Sequence, residues 1–242
     1  MKIDSYIFQA RVLPAVIFML PFFIEANCLI VFCDFKIEIS ATIANFILVV
    51  FLILFANWAR HFGRKKEKKL LKKWDGLPTT RFLRSDNIEY NEYRRAEIKK
   101  YLEIMFSNVK MPTRQEEQIN KNECDKKYEA YISNLQALTR NTKEFALLQS
   151  ENRNYGMWRN LLGLKLISII CILIIVLINV FLAIFCCQVM SWKKCIILNI
   201  VLVFFALIWF FIVTKSKVKD IAECYTRRLF DTVIILKDKN RK

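Results

Sequence analysis

Directly after an apolar run that ends at Ala59, the chain reads Arg60-His61-Phe62-Gly63-Arg64-Lys65-Lys66-Glu67-Lys68-Lys69-Leu70-Leu71-Lys72-Lys73. Eight of these fourteen residues are Lys or Arg. Positive charge next to a membrane-spanning segment is retained on the cytoplasmic side, the positive-inside rule. We therefore expect the chain after Ala59 to be cytoplasmic, and the sidedness of the other segments follows from this assignment.

The composition combines 55% hydrophobic residues with a net charge of +16, and the two kinds of residue occupy separate blocks. Such segregation is typical of a membrane protein. Four apolar windows are 19 to 22 residues long, which matches the ~30 Å hydrocarbon layer at helical rise. They predict an all-α membrane protein with transmembrane helices at about 12–33, 41–59, 166–187 and 195–214.

The first window has a rival interpretation as a cleaved secretory signal peptide. Such a peptide has a shorter apolar region and a small-residue cleavage site. Here Pro14, Pro21, Glu25 and Asn27 interrupt the window, and a second apolar window follows at once. The pattern favours a membrane span.

The charge distribution predicts both termini in the cytoplasm. Residues 60–160 hold 23 basic and 14 acidic side chains, and residues 215–242 hold nine and four. The two lysines of the opposite loop, Lys193 and Lys194, are outweighed. We expect a transmembrane hairpin at 1–59, a cytoplasmic helical domain at 60–160, a second hairpin at 161–214 and a cytoplasmic helix at 215–242.

Within the central domain, the pattern predicts a helix over Ile88–Phe106 and a longer one from Arg114 to Asn154. Thr79 and Thr80 are expected to cap a following helix, and residues 151–160 to connect the domain to the membrane. The longer helix carries an apolar stripe at intervals of three, four and seven residues: Tyr128, Tyr131, Ile132, Leu135, Leu138, Phe145 and Leu148.

The C-terminal segment also predicts an amphipathic helix. Its opposite surface has mixed charge, which favours packing on the central helices over lying on lipid. The apolar face comprises Val218, Ile221, Ala222, Tyr225, Leu229, Val233 and Leu236.

Motifs for catalysis and for metal binding are missing from the sequence. The eight cysteines show no CxxC or Cys/His spacing, and His61 is the single histidine. There is no phosphate-binding Gly-rich loop, GxSxG or HExxH. We expect no cofactor, no metal and no enzyme activity; free thiols are favoured, with a disulfide among Cys186, Cys187 and Cys195 as the alternative.

Two arginine-bearing segments are the candidate ligand site. Arginine supplies a planar, multidentate donor suited to phosphate, and Thr and Asn side chains add neutral hydrogen bonds. The alternatives are contact with lipid phosphates or ion pairs with acids such as Asp75, Asp86 and Glu151. The candidate ligand residues are Thr79, Thr80, Arg81, Arg84, Asn152, Arg153, Asn154 and Arg159.

Polar side chains inside the apolar windows are candidates for a pore or for contacts between helices. An ionisable residue within a membrane is by default a functional hypothesis, whereas asparagines more often join helices. The alternative for the glutamate is a position near the outer headgroups, where it stays hydrated. The residues are Glu25, Asn27, Asn45, Asn179 and Asn199.

The basic stretch after Ala59 predicts the lipid bilayer as a partner. Each Lys or Arg near anionic headgroups contributes ~1 kcal/mol. Nucleic acid is the disfavoured alternative, because base-stacking aromatic residues are not interleaved with the charges. A four-helix monomer has little room for an aqueous path, so a pore requires a homo-oligomer.

Two segments, Trp74-x-Gly76-x-Pro78-Thr79-Thr80-x-x-Leu83-Arg84 and Glu151-Asn152-x-Asn154-Tyr155-Gly156-x-x-Arg159-Asn160-Leu161-Leu162-Gly163-Leu164-Lys165, resemble a group of uncharacterised bacterial inner-membrane proteins. At position 75, where a small residue is expected, the chain has Asp75. In architecture only, the whole chain resembles the four-helix membrane effectors of bacterial anti-phage systems such as cyclic-oligonucleotide signalling (CBASS).

This second resemblance implies a regulated effector of the bacterial inner (plasma) membrane. The cytoplasmic domain would sense a signal, such as a cyclic nucleotide, and the oligomerised transmembrane helices would disrupt the membrane. Two alternatives stay open. One is an ion channel or transporter subunit with flux that depends on Glu25, and the other is a membrane-anchored scaffold for a soluble partner protein.

Overall fold

The computed structural model describes residues 5–32, 37–106, 109–186 and 190–239. Of these residues, 85% are helical and none lies in a β-strand. The all-α class predicted from the sequence is confirmed. The arrangement of the apolar helices as two hairpins stays a prediction.

The helices follow one another along the chain with short connections. The first, α1 (Ser5–Ile7), continues through a π-helical segment, Phe8–Val12, into α2 (Leu13–Phe32). The remaining helices are α3 (Ile37–Lys73), α4 (Pro78–Arg81), α5 (Glu92–Met105), α6 (Arg114–Ile119), α7 (Lys121–Leu138), α8 (Ala146–Phe185), α9 (Trp192–Phe211) and α10 (Lys215–Lys239).

Within the described residues, four helical stretches are long and apolar enough to cross a membrane: Phe8–Phe32, Thr42–Arg81, Ala146–Phe185 and Trp192–Phe211. They contain α2, most of α3, α8 and α9. Large apolar side chains such as Phe46, Leu177 and Phe204 are exposed on these helices. A chain with this pattern has the character of a multi-pass membrane protein.

Contacts divide the chain into two compact units. The first unit comprises Met1–Glu67 and Gly156–Val218, and the second comprises Lys68–Tyr155 and Lys219–Lys242. Helices α3 and α8 contribute residues to both units. The domain boundaries expected at residues 59/60, 160/161 and 214/215 stay predictions.

The segment 151–160, which we expect to connect the cytoplasmic domain to the membrane, is helical. These residues lie inside α8, which runs without interruption for 40 residues. In the same way, α3 includes both the apolar run before Ala59 and the basic stretch after it. Neither α3 nor α8 contains a proline. Gly156 and Gly163 are tolerated inside α8 because of the close helix contact described below.

The single long helix expected from Arg114 to Asn154 is wrong. Asn120 ends α6 and, with a backbone φ of −143°, starts α7, where its side chain accepts a hydrogen bond from Glu123 N. After α7, the Thr139 hydroxyl donates to Leu135 O at 2.9 Å, and Asn141 Oδ1 accepts from Lys143 N. Local side-chain hydrogen bonds of this kind compete with helix continuation.

For the remaining short segments, the structure differs from the sequence prediction at the helix ends. Helix α5 starts at Glu92 instead of Ile88, because Asn91 caps it by accepting from Arg94 N at 3.0 Å. Thr79 and Thr80 are buried inside α4 and do not cap it. Asp75 takes a left-handed backbone conformation with φ 59°, which is uncommon for a residue other than glycine.

The second unit has its own hydrophobic core, built from α5, α7, α10, the start of α8 and the segments that follow α4 and precede α8. The predicted packing of the C-terminal helix on the central helices is confirmed, because Leu229 and Val233 join this core together with Phe230. Of the residues in the predicted apolar stripe, Leu138 is the one outside this core: it is 53% exposed, because α7 ends there. The other core members include Phe82, Leu83, Ile98, Leu102, Tyr128, Tyr131, Ile132, Leu135, Phe145 and Leu148.

The first unit contains an unusually close contact between the α3 and α8 backbones. A Cβ atom on Gly163 would lie 2.6 Å from the carbonyl carbon of Phe62 and 2.7 Å from Gly63 Cα. A Cβ atom on Gly63 would lie 2.9 Å from Asn160 Cα. Small residues permit such approaches between membrane helices, where close packing is a principal source of association.

Asn160 extends this contact to the N-terminal segment. Its side chain is fully buried, and its Nδ2 donates to Ala10 O at 2.6 Å. Ala10 belongs to the π-helical segment, and its Cβ lies 3.0 Å from where a Cβ on Gly156 would stand. We call Ala10, Gly63, Gly156, Asn160 and Gly163 the glycine crossing.

Replacing Gly163 by Ala should destabilise the first unit. Overpacking costs about 1–3 kcal/mol, and the upper part of this range is expected because the added methyl group meets backbone atoms. The measurement is the free energy of unfolding of the purified full chain in detergent, followed by the loss of helical circular dichroism. Gly156→Ala is the matched control, and a Gly163→Ala protein no less stable than this control would contradict the prediction.

Candidate functional site

The first unit holds a polar cluster contributed by three helices, with two buried members and one that is half-buried, Asn199. Asn179 of α8 donates from Nδ2 to Glu25 Oε2 of α2 at 3.3 Å and to Asn199 Oδ1 of α9 at 3.2 Å. Glu25 is 7% exposed and Asn179 is fully buried. Asn199 donates onward to Cys195 Sγ at 3.4 Å. We call Glu25, Asn179 and Asn199 the polar cluster.

Two oxygen atoms of the polar cluster have no hydrogen-bond partner among the described residues. They are Glu25 Oε1 and Asn179 Oδ1, and both are buried. Unpartnered polar atoms are costly in an apolar interior, because the lost contact with water is not replaced. A binding event that supplied a hydrogen-bond donor to these oxygens would recover part of that cost.

A second polar contact joins α2 to α3. Asn27 Nδ2 donates to Asn45 Oδ1 at 3.1 Å, and Asn45 Nδ2 donates back at 3.3 Å. Asn27 also donates to Phe23 O at 2.7 Å. The structure thus brings all five predicted intramembrane polar residues into contacts between helices, three in the polar cluster and two in this pair.

The predicted ligand residues are divided between the two units. Arg159 belongs to the first unit, where its Nη1 donates to Glu67 Oε2 at 3.2 Å and its Nε to Asn160 Oδ1 at 3.4 Å. Asn152, Arg153 and Asn154 lie half-buried on the α8 part of the second unit.

Arg81 and Arg84 form ion pairs with acids of the second unit, as the alternative interpretation expects. Arg84 donates to both oxygens of Asp125, at 2.9 and 2.6 Å, and to Asp75 at 2.6 Å. Burial alone would lower the pKa of Arg84, but these two carboxylates outweigh it and raise the pKa. Arg81 donates to Glu223 at 2.9 Å and also pairs with Glu89.

The side chain at position 75 takes part in these ion pairs. The Asp75 carboxylate accepts from Arg84 and, at 2.5 Å, from Lys121. The hydrogen bond from Lys121 lowers the pKa of Asp75. Two cationic partners thus hold the Asp75 carboxylate, a contact that an uncharged residue would not make. Ligand binding by the predicted residues Thr79, Thr80, Arg81 and Arg84 stays a prediction.

A network around Glu117 connects α5, α6 and α7. Glu117 accepts from Ser85 N at 2.8 Å and from Lys99 Nζ at 3.1 Å, and the Tyr128 hydroxyl donates to it. Burial would raise the pKa of Glu117, but the bonds from Tyr128 and Ser85 and the charge of Lys99 lower it. For Lys99, burial outweighs the attraction of Glu117, and the pKa is lowered.

A cavity of about 190 Å³ lies next to this network, lined by Ser85, Glu92, Arg95, Ala96, Lys99 and Arg114. Three of these side chains are cationic and one is acidic. A neighbouring cavity of about 140 Å³ shares Arg114 and contains Arg84, Lys121 and several carboxylates. The first cavity, which we call the cationic hollow, is the better candidate for an anion.

Sequence reasoning missed Arg95, Lys99 and Arg114 because they are spread over two helices among many lysines. A local signal was present, since Thr113 and Glu116 form a capping box that fixes the start of α6. It also missed Asn160, although Gly156, Asn160 and Gly163 recur at helical spacing.

Metal and disulfide chemistry receive no support from the described part of the chain. Within it, no group of three His, Cys, Asp or Glu side chains could hold a metal ion. Cys186 and Cys195 are free thiols, and Cys187 lies outside the described residues.

No protein-family model, curated protein or solved structure matches the chain.

Replacing Glu117 by Gln should loosen α7 at neutral pH. Removing one partner of a buried ion pair costs roughly 3–5 kcal/mol. Because the folded state lowers the pKa of Glu117, its contribution is present above the ordinary glutamate pKa of about 4.3 and is lost as the pH falls through the lowered value.

The measurement is the amide-exchange protection of the α7 segment around Tyr128 in the full chain, corrected for intrinsic rates, as a function of pH. Wild-type protection should fall towards the level of Glu117→Gln in acid. Glu129→Gln, the same change at an exposed site of α7, is the control. Equal protection in all three proteins would show that the network does not hold α7.

Proposed function

We propose that the chain is a regulated effector of the bacterial inner membrane in anti-phage defence. A signal in the cytoplasm acts on the second unit, and the membrane helices of several subunits then disrupt the membrane. Both termini and the second unit are assigned to the cytoplasm by the positive-inside rule. The partners are lipid headgroups, other copies of the chain and the signal, and no catalytic residue is assigned.

The observation that carries the proposal is the burial of Glu25 within the apolar helices. A glutamate at such a position is costly, and its hydrogen bonds within the subunit are incomplete. Asparagine pairs such as Asn27 and Asn45 are sufficient to hold helices together, because each amide donates a hydrogen bond to the other. In an effector, the Glu25 carboxyl would gain a new partner when the helices rearrange.

Disruption of the membrane by this chain requires several subunits. Side chains such as Phe18, Ile172 and Trp209 are buried inside the first unit, and we infer that a water path forms between subunits and not through one. A shallow groove along α9 is apolar apart from Asn199, and Val203 and Phe204 are among its lining residues. Assembly that turns the polar cluster towards a neighbouring copy would create a hydrated path.

The cationic hollow supports an anionic signal. Its volume of about 190 Å³ is below the ~300–1,000 Å³ of sites that enclose whole ligands, so we assign it to a phosphate group of a larger signal such as a nucleotide. Arg95, Lys99 and Arg114 supply the charge. Because α3 and α8 contribute residues to both units, a change at the second unit can reach the membrane helices.

A channel or transporter subunit is the second candidate, favoured by the same glutamate. It would carry ions in purified form without a signal, whereas the effector requires one. A membrane-anchored scaffold would alter no potential under any condition.

Glu25→Gln should abolish depolarisation without preventing insertion. The glutamine keeps the hydrogen bonds of the resting cluster but removes the ionisable group. The measurement is inducible expression in a bacterium with a membrane-potential dye, with and without candidate neighbouring genes. We expect wild-type depolarisation only with a neighbour's product, and a loss of at least about tenfold in Glu25→Gln, on the scale of one to two kcal/mol of coupling.

Glu129→Gln is the matched control, because it makes the same chemical change on an exposed helix face. Wild-type depolarisation without any neighbour favours the channel. A potential that never changes rejects both membrane activities and leaves the scaffold.

Arg114→Ala should make the effector less sensitive to its signal while leaving folding intact, because Arg114 is exposed and lines the cationic hollow. The same dye assay measures the signal dose needed for half-depolarisation, which we expect to rise about tenfold, as for one charge-assisted hydrogen bond of ~1.4 kcal/mol. Lys126→Ala removes an exposed cation outside the hollow and should leave the dose unchanged. An equal effect of both variants would argue against the hollow.

A further inference from the structure

We propose that the polar cluster is a proton-binding site, in which Glu25 carries a proton on Oε1 and donates it to Asn179 Oδ1. This inference deepens the proposed function, since it names the chemical state of the group on which that function rests.

The hydrogen-bond count requires one more donor. Asn179 Nδ2 uses its two hydrogens on Glu25 Oε2 and Asn199 Oδ1. What remains is one carboxyl oxygen and one amide oxygen, both buried and both without a partner. An ionised carboxylate accepts only, so it cannot satisfy the amide oxygen.

A single proton completes the set. In a paired carboxylic acid and primary amide, one amide N–H donates to one carboxyl oxygen, and the other carboxyl oxygen donates its O–H to the amide oxygen. The first bond is present at 3.3 Å. The second joins the two atoms that otherwise lack partners. A proton on Glu25 thus turns two unsatisfied acceptors into one hydrogen bond.

The opposite orientation of the Asn179 amide does not remove the need for a proton. Oxygen and nitrogen of an amide exchange places when the group is turned by a half-turn. Then Nδ2 reaches Oε1, and Oε2 loses its donor. One oxygen of an ionised Glu25 stays without a donor in either orientation.

The surroundings do not compensate for a negative charge. On α2, the titratable neighbour of Glu25 is the Cys28 thiol, and on α9 it is Cys195, which accepts from Asn199. From α8 the facing group is the neutral Asn179, and from α3 Asn45 bonds to Asn27. In the described part of the chain, Glu25 takes part in no ion pair. An unpaired buried charge costs several kcal/mol, whereas the acid form carries none.

Proton release would act directly on the contact between α2 and α8. Once ionised, Glu25 would present a negative oxygen to the Asn179 carbonyl, and one attractive bond would become a repulsion in a medium of low dielectric constant. The helix contact is retained while the proton is bound and weakened when it leaves. The site therefore links helix packing to proton uptake and release.

Infrared spectroscopy of the full chain in lipid nanodiscs near neutral pH tests the proposal. A protonated carboxyl has a C=O stretching band that is separate from the carboxylate bands. We expect such a band, shifted by isotope labelling of glutamate, present in wild type and in Glu129→Gln and absent in Glu25→Gln. Asn179→Leu should move the band to higher frequency, because the O–H loses its acceptor.

The isotope shift needs no substitution, so the result does not depend on the folding of any variant. A folded wild-type protein with no glutamate acid band would overturn the proposal, as would a band that survives in Glu25→Gln. Because the spectrum reads the proton without any activity, its outcome is separate from the depolarisation assay. A band without depolarisation refutes the effector alone, and depolarisation that depends on Glu25 without a band refutes the proton site alone.

Discussion

The contact between the α3 and α8 backbones at Gly63 and Gly163 is the constraint on which the first unit depends. Within lipid, apolar side chains gain little by leaving one apolar surface for another, so close packing and polar contacts determine how helices associate. Here the two backbones approach so closely that even a methyl group has no space. Asn160 then ties the same crossing to Ala10 by a buried hydrogen bond. Three of the four glycines in the chain lie at this one place.

The polar cluster and the Asn27–Asn45 pair show two ways to bury polar groups in apolar surroundings. The asparagine pair is closed, because each amide donates to the other. The cluster is open, because two of its oxygens lack a donor. Since both lie on α2, the same helix carries one contact suited to fixed packing and one whose strength depends on what it binds. The presence of unpartnered polar atoms therefore distinguishes a functional group from a packing contact more clearly than residue type does.

Much of the fold could be predicted because the signals are local. A window of 20 apolar residues identifies a membrane helix without knowledge of its neighbours, and the face of α10 follows from helical periodicity. The breaks at Asn120 and after Leu138 were missed because short side chains that bond to nearby backbone atoms compete weakly with a strong helical pattern. The glycine crossing was missed because it joins residues about 100 to 150 positions apart, and the helical spacing of Gly156, Asn160 and Gly163 does not indicate which segment they contact.

For the candidate sites, the sequence identified the residues better than it identified their roles. The intramembrane polar residues were identified because polarity stands out among Ile, Leu and Phe. The arginines were harder, since the same guanidinium suits a phosphate or a carboxylate, and only the folded chain shows that Asp75, Asp125 and Glu223 reach Arg81 and Arg84. Arg95, Lys99 and Arg114 gain meaning only from the cavity that they share.

A lysine ammonium group lies at each end of α9. Lys165 Nζ donates to Phe210 O at 2.9 Å and to Val213 O at 2.8 Å, which places an ammonium group at the carboxyl end of the helix. At the other end, Lys194 lies 4.5 Å above the ring of Phe32. The 20 residues of α9 span about 30 Å at 1.5 Å per residue. With a charge at each end, the helix is matched to one hydrocarbon thickness, and a thicker or thinner bilayer would force it to tilt or to draw the lipid to its own length.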